Sequence, residues 1–317
     1  MKIVQLDVNR SDDLIDLWNG EFSGEFPMRQ ELFLQNSFED RNLFLPGSLM
    51  ATDDDGRLIG YVICKRWQEE TAFMSAHTGW IQVLLVDQAY RNKGVGSLLL
   101  DRAEKALKDS GVTDISLGAD PFHYFPGIPT ERKDAAAWFE GKGYEPGRLE
   151  YDLLAEYRDT DVVNEWLPVP EIEIALLQID EKEEMLQFMH RVFPGRWEYE
   201  TIHYFNRGGT GREFVVLKKA GKIIGYCRIN DEHSPVIFSN TYWAPLFKET
   251  LGGIGSLGVD PDERGKGYGL LALQAGIATL RKRGINNIAI DWTGIVDFYG
   301  KMGYMIWKEY QRYNKAL

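Results

Sequence analysis

The residues best suited to chemistry stand in two short glycine-rich segments. Arg91, Asn92, Lys93, Gly94, Val95 and Gly96 spell Arg-x-x-Gly-x-Gly, and Arg264, Gly265, Lys266, Gly267, Tyr268 and Gly269 spell it again 173 positions later. Each follows an apolar run and precedes an amphipathic one, which predicts a loop joining a strand to a helix. Glycines let consecutive backbone N–H groups converge on one concavity, and the helix start adds the positive end of its dipole. Such a cradle suits a pyrophosphate. The Arg and Lys side chains add positive charge, whether they touch a ligand or face solvent.

Three other readings compete for these segments. A glycine turn that only lets strand and helix pack closely would not need to occur twice at matching places. A dinucleotide site is suggested by Gly267, Gly269 and Ala272, which fit G-x-G-x-x-A, with Asp291 at the end of a following strand. Against it, Leu99 stands where the first copy needs its third small residue, and Gly267 comes eight positions after Val259 instead of in a tight turn. A Walker loop would need G-x-x-x-x-G-K-[ST], which the chain lacks.

The elements around the loops repeat as well. Lys2 to Val8 reads as a strand, with Ser11 as N-cap of a helix over Asp12 to Phe22 and a second helical pattern over Arg29 to Phe38. Leu49 to Lys65 predicts a hairpin turning at Asp55 and Gly56, followed by a strand over Trp80 to Val86. The helix after the first glycine loop carries Leu99, Ala103, Ala106 and Leu107 on one face and stops at Gly111. A strand over Ile115 to Gly118, a short helix over Asp134 to Glu140 and a strand over Leu149 to Tyr157 close the first copy. The same order restarts at Ile172, with helices over Glu181 to Phe193 and Tyr199 to Asn206 and a hairpin over Phe214 to Ile229 turning at Ala220 and Gly221.

The hairpin repeats at an offset of 165 (Gly56 and Gly221), the glycine loop at 173, and the terminal Gly-Tyr at 160 (Gly143 and Gly303). The second copy therefore carries 8 extra residues between hairpin and glycine loop, and the first carries 13 extra after it. The segment Pro121 to Lys133 accounts for that second insertion. It is either the lining of an acceptor pocket or a stiff cover over the core. The expected organisation is an N-terminal domain over 1–160, a linker over 161–170 and a C-terminal domain over 171–317.

Composition narrows the class. With 44% hydrophobic residues and 13% aromatics the 317-residue chain can build packed cores, and nothing approaches the roughly 18 apolar residues of a spanning helix. The start lacks the blocks of a signal peptide, so the expected location is cytoplasmic. Cys64 and Cys227 each sit in an apolar run and read as buried free thiols. A net charge of −12 speaks against nucleic-acid and anionic-membrane partners and mildly favours cationic small molecules. The histidines show no ligand spacing, and no metal is expected.

VDQAYRNKGVGSLL and VDPDERGKGYGLLA resemble the acyl-CoA pyrophosphate loop of the GNAT acetyltransferases, and FYGKMGY at Phe298 to Tyr304 resembles the family's helix-to-strand ending. The resemblance covers nearly the whole chain as a tandem pair. It implies an α/β (α+β) fold of two GNAT-like domains, each a mixed, mainly antiparallel sheet flanked by helices. It also implies acetyl-CoA as donor, a small-molecule amine, hydroxyl or thiol as acceptor, and a monomer or homodimer. Carried over residue by residue, the backbone of Leu84 and Val86, or of Leu257 and Val259, would hold the pantetheine arm. Arg91 to Ser97 and Arg264 to Gly269 would hold the phosphates.

Direct attack on the thioester further needs an oxyanion donor, which N–H groups at a strand distortion can supply, and an acid for the leaving thiolate. In the family a tyrosine before the Gly-aromatic ending commonly serves as that acid. Tyr299 stands there in the second copy, whereas the first has Phe139, which has no proton to give. The second copy is thus the expected catalytic one. Tyr299 also falls on an apolar face with Ile295 and Met302, which leaves a packing role open. No carboxylate stands in Gly255 to Val259, so Asp291 is the available base, with helix capping as its other reading. The alternative for the whole chain is a noncatalytic acyl-CoA-binding protein or sensor.

Overall fold

Period-two apolar runs broken by turn residues give hairpins, and apolar stripes at helical spacing give the helices that cover them. The computed structural model describes residues 1–69, 74–158, 160–161 and 169–317. In chain order the first half contains β1 (Lys2–Gln5), α1 (Ser11–Phe22), α2 (Gln30–Asn36), β2 (Leu49–Thr52), β3 (Leu58–Arg66), β4 (Thr78–Val86) and α3 (Val95–Asp109). It continues with β5 (Asp114–Leu117), β6 (Ile128–Pro129), α4 (Lys133–Glu140) and β7 (Glu145–Glu156). The second half contains β8 (Ile172–Leu176), α5 (Lys182–Val192), α6 (Arg196–Asn206), β9 (Phe214–Lys219), β10 (Lys222–Asn230) and β11 (Leu251–Val259). It ends with α7 (Tyr268–Lys282), β12 (Asn287–Thr293), α8 (Val296–Gly300) and β13 (Met305–Ala316).

The described residues form two compact units. Unit 1 comprises 1–69, 74–150 and 308–317, and unit 2 the described part of Tyr151–Trp307. Unit 1 is not a contiguous stretch of chain: it takes in residues 308–317, and packing divides between Glu150 and Tyr151 and between Trp307 and Lys308 instead of around the stretch 161–170 expected as the linker. The reason lies in the closing strands. The end of β13 pairs with β5 in unit 1, Asn314 opposite Ser116 and Ala316 opposite Asp114. The end of β7 pairs with β12 in unit 2, Glu156 opposite Asn287 and Leu153 opposite Ile290. Residues 159 and 162–168 of the expected linker lie outside the described residues.

Within unit 1 the strands run β1-β2-β3-β4-β5-β13, antiparallel except for β4 and β5. Within unit 2 the order is β8-β9-β10-β11-β12-β7, antiparallel except for β11 and β12. These are the mixed, mainly antiparallel sheets expected. Helix α3 buries Leu99, Leu100, Ala103 and Leu107 against Val62, Cys64, Ile81 and Ile115, and α7 buries Ala272, Ala275 and Leu280 against Cys227, Ile229 and Ile288. Both thiols are free and buried. Ser11 is the first residue of α1 and not its cap; the preceding side-chain cap is Asp7, which accepts from the Asn9 N–H. Helix α6 starts at Arg196, earlier than the Tyr199 expected, because Glu198 supplies a capping carboxylate to the Gly195 N–H. Among the described residues no helix is long and apolar enough to cross a membrane.

Candidate active site

In unit 2, β11 pairs in parallel with β12 only from Leu251 to Ile254. Past that point the two strands separate, and Gly255 to Val259 face the gap with backbone groups that β12 does not take up. On its other edge β11 carries a bulge: Cys227 opposes Leu257 while Ile229 opposes Ile254, which leaves an extra residue around Gly255 and Ser256. Unit 1 repeats both features. Parallel pairing of β4 with β5 ends at Ile81, and the extra residue between Ile81 and Val83 is Gln82. Each unit thus has a slot between diverging strands, beside a distortion whose N–H groups could face an oxyanion. Leu84 and Val86, and Leu257 and Val259, stand on the free stretches of these strands.

Each slot leads to a glycine loop built on the same bonds. Asp87 and Asp260 accept from the N–H two residues on, at 2.9 and 3.1 Å. Burial pushes the Asp260 carboxyl up, but Arg191 and the Asp262 N–H outweigh it and hold it below the usual carboxylate range. Arg91 and Arg264 each donate through Nε to the carbonyl that ends the strand, Val86 and Val259, at 3.0 Å. Arg91 also pairs with Glu21. Lys93 donates to the Ala89 carbonyl at 2.9 Å and Lys266 to Glu263 at 2.7 Å. These cations therefore brace the loops. What each loop leaves open to an anion is its backbone N–H groups.

Helices α3 and α7 begin at Gly94 and Gly267, whose φ angles of 84° and 83° fall in the left-handed region open to glycine. Neither has a side-chain cap, and neither has an acidic residue in its first turn. Every other α-helix among the described residues has at least one, such as Asp12 and Asp13 in α1 or Glu183 and Glu184 in α5. Two helix starts are thus left electropositive with free N–H groups, as a phosphate requires.

A cavity of about 360 Å³ opens at the second loop, lined by Phe193, Trp197, Leu257, Val259, Arg264, Gly265, Gly267, Tyr268 and Gly269. At the first loop a cleft of about 870 Å³ is lined by Leu84, Val86, Arg91, Asn92, Gly94, Gly96, Ser97 and Trp138 among others. Lys93 and Lys266 are exposed beside these openings and line neither. Val95, expected among the cofactor contacts, points inward instead and packs in the unit 1 core with Leu99 and Val86.

Tyr299 is buried on α8, its ring 6.4 Å from that of Tyr304. Burial pushes its phenol above the ordinary range, and Cys227 and Asp291 add to the shift. Ile295 is 59% exposed, so it does not share a buried face with Tyr299; the helix is too short for the spacing to hold. Phe139, on α4, lines the unit 1 cleft beside Trp138.

The two slots are furnished differently. In unit 1 the ammonium of Lys65 is fully buried between Asp40 (2.6 Å) and Asp120 (2.7 Å) and donates to the Pro121 carbonyl at 2.9 Å. Gln82, at the bulge, donates to Asn36 O at 2.9 Å, Asp120 Oδ2 at 3.2 Å and Phe122 O at 3.2 Å. The insertion is mostly cover. Phe122 and Tyr124 are buried, and Phe125 stacks on Trp18 at 5.5 Å and meets Phe26 at 4.8 Å. Only its end, Glu131 to Lys133, reaches the cleft. In unit 2 the corresponding space holds Arg228, bonded to Glu200 at 2.7 Å, and Asp291, which accepts from Ser239 and, at 3.3 Å, from Asn240. Arg228, Glu200, Ser239 and Asn240 carry no signal of this in the sequence. They meet only through folding.

Comparison with known proteins agrees with this architecture. The Acetyltransferase (GNAT) family matches twice, over residues 11–123 and 182–304, and the chain belongs to that family. It is 23% identical to the mycothiol acetyltransferase of Saccharopolyspora erythraea over 88% of this chain and 90% of that protein. A 65-residue stretch is 34% identical to the N-alpha-acetyltransferase MAK3 of Arabidopsis thaliana. Among solved structures, a GCN5-related glucosamine N-acetyltransferase region of a fungal multi-domain GH3 beta-N-acetylglucosaminidase superposes with a TM-score of 0.86 at 25% identity, over 99% of this chain. The chain spans 32% of the plant relative's length and 38% of the fungal one's. It is a tandem GNAT protein.

Proposed function

We propose that the protein transfers an acetyl group from acetyl-CoA to the amine of a small molecule, and that unit 2 performs the transfer. One observation carries the assignment: two loops alike in backbone, capping and Arg bracing are followed by Tyr299 in one unit and Phe139 in the other. When bound, acetyl-CoA supplies the activated acyl group. The N–H groups at the start of α7 would take its pyrophosphate, Leu257 and Val259 its pantetheine arm, and Tyr299 would give a proton to the departing thiolate. Because burial keeps the phenol protonated, the acid is not lost at neutral pH.

The acceptor is best sought among amino sugars. Of the relatives above, one is named for mycothiol and one for glucosamine, both small molecules. Unit 1 is read as an acyl-CoA site without turnover: its loop and cleft match, but it lacks the acid, and Lys65, Gln82 and the insertion fill the slot from within. Release of CoA from acetyl-CoA across a panel of primary amines including glucosamine tests the reading. Turnover that Tyr299→Phe suppresses supports it; binding of acetyl-CoA with no turnover on any amine would make the whole chain a binding protein.

A further inference from the structure

Asp291 is the first residue of β12 beyond the last pairing with β11, that of Ile290 with Ile254. Ile290 points into the core, so by strand alternation Asp291 points to the other face, at the mouth of the slot. Asp291 and Ser239 are partly covered, while Asn240, Arg228 and Glu200 are buried. Ser239 and Asn240 hold the two carboxylate oxygens, one each. Both lie in the segment between β10 and β11, where the second copy carries its extra residues.

The strand beside them is shaped for this. A Cβ on Gly253 would fall 2.4 Å from Asn240 Cγ, and one on Gly255 would fall 2.7 Å from Arg228 Nη2. Both side chains therefore need glycine in β11. The same glycines explain why β11 has no carboxylate of its own at the slot.

We propose that Asp291 is the base that prepares the acceptor amine in unit 2, and that Ser239 and Asn240 are positioning residues that fix its carboxylate. The assignment rests on unit 2 being the reacting one. An acceptor arriving as R–NH3⁺ gives one proton to Asp291, which passes it to solvent. The freed nitrogen lone pair forms the N–C bond at the thioester carbonyl, and the oxyanion collapses as the C–S bond breaks. The thiolate takes the phenolic proton of Tyr299, and the second proton on the new ammonium nitrogen restores it. The products are the amide, CoA and one proton.

The charged and titratable groups facing Asp291 are Arg228 on β10, Glu200 on α6 and Tyr299 on α8, while Asp152 on β7 accepts from the neighbouring Trp292 N–H. Burial pushes the Asp291 carboxyl up, opposed by Ser239 and Arg228. The acidic limb of the rate profile therefore lies above that of an ordinary aspartate.

The test is the pH profile of the full chain from about pH 6 to about pH 10, with acetyl-CoA and the primary-amine panel. Asp291→Asn should lower kcat/KM near pH 7 by roughly a hundredfold, and the deficit should shrink about tenfold per pH unit as free amine accumulates. Acetyl-CoA affinity should be unchanged. Ser239→Ala should keep the plateau rate and move the acidic limb upward, because it removes a donor to the carboxylate. A wild-type profile in Asp291→Asn, or a loss equal at every pH, overturns the assignment while leaving unit 2 catalysis standing. Absence of CoA release by the wild-type chain with any amine overturns both.

Discussion

Residues 308–317 come from the end of the chain yet complete unit 1, so their removal should unfold one unit and spare the other. Tyr310 and Tyr313 are buried in unit 1, the Tyr313 hydroxyl donates to Glu140 at 2.7 Å, and Lys315 reaches both oxygens of Glu104 at 2.7 and 2.8 Å. Truncating a buried aromatic costs about 3–5 kcal/mol, so losing two amounts to roughly 6–10 kcal/mol. That is comparable to the whole stability of a domain, about 5–15 kcal/mol. The pairing of β5 is lost besides, leaving a bare edge. A chain ending at Trp307 should therefore lose unit 1 while unit 2 keeps all its residues. Hydrogen exchange read by mass spectrometry separates the two: peptides from β4 and β5 should exchange like unfolded chain, and peptides from β11 and β12 should stay protected. Unchanged protection of β4 and β5 in the truncated chain would refute the strand exchange.

Other outcomes are as specific. Tyr299→Phe should lower kcat at least tenfold with acetyl-CoA affinity retained, and the raised phenol predicts no alkaline loss of rate in the wild type below about pH 10; an unchanged rate removes the general-acid role. Gly267→Val places a β-branched residue at φ 83° over the open N–H groups, so calorimetry should show loss of the unit 2 acetyl-CoA site alone, with Gly94→Val giving the converse. Equal binding in both variants would show that these loops do not hold the acetyl-CoA phosphates. Lys65→Met leaves Asp40 and Asp120 without the ammonium between them and should destabilise unit 1 by about 3–5 kcal/mol in thermal unfolding; a change near zero would mean the triad is not electrostatically coupled.

Much of this was legible in the residues because the signals are local. Alternation marked the hairpins, the paired glycines marked two helix starts, and Tyr299 against Phe139 separated the copies. What stayed hidden is set by long-range pairing. Nothing in YQRYNKAL says that Tyr313 belongs with Glu140 and Lys315 with Glu104, since a strand's composition does not name its neighbour. The bracing of Arg91 and Arg264 was open for a similar reason: a guanidinium near a phosphate loop has the same sequence whether it binds ligand or holds Val86 and Val259. Val95 misled because a residue inside a binding motif can still face the core.

The two slots differ most at one position. At corresponding bulges stand Gln82 and Gly255. Glutamine has a side chain long enough to reach Asn36, Asp120 and Phe122 at once, and these bonds hold the insertion down over the slot of unit 1. Glycine has none, and the space it leaves in unit 2 is taken by Arg228, with Asn240 packed over Gly253. A buried polar side chain must be bonded, and removing the cover would take from Gln82 its bond to the Phe122 carbonyl while those to Asn36 and Asp120 stay. Opening unit 1 to an acceptor would therefore take more than restoring a tyrosine at 139. Gln82 and Lys65 would have to be changed together with the insertion, since each donates to one of its carbonyls, Phe122 and Pro121.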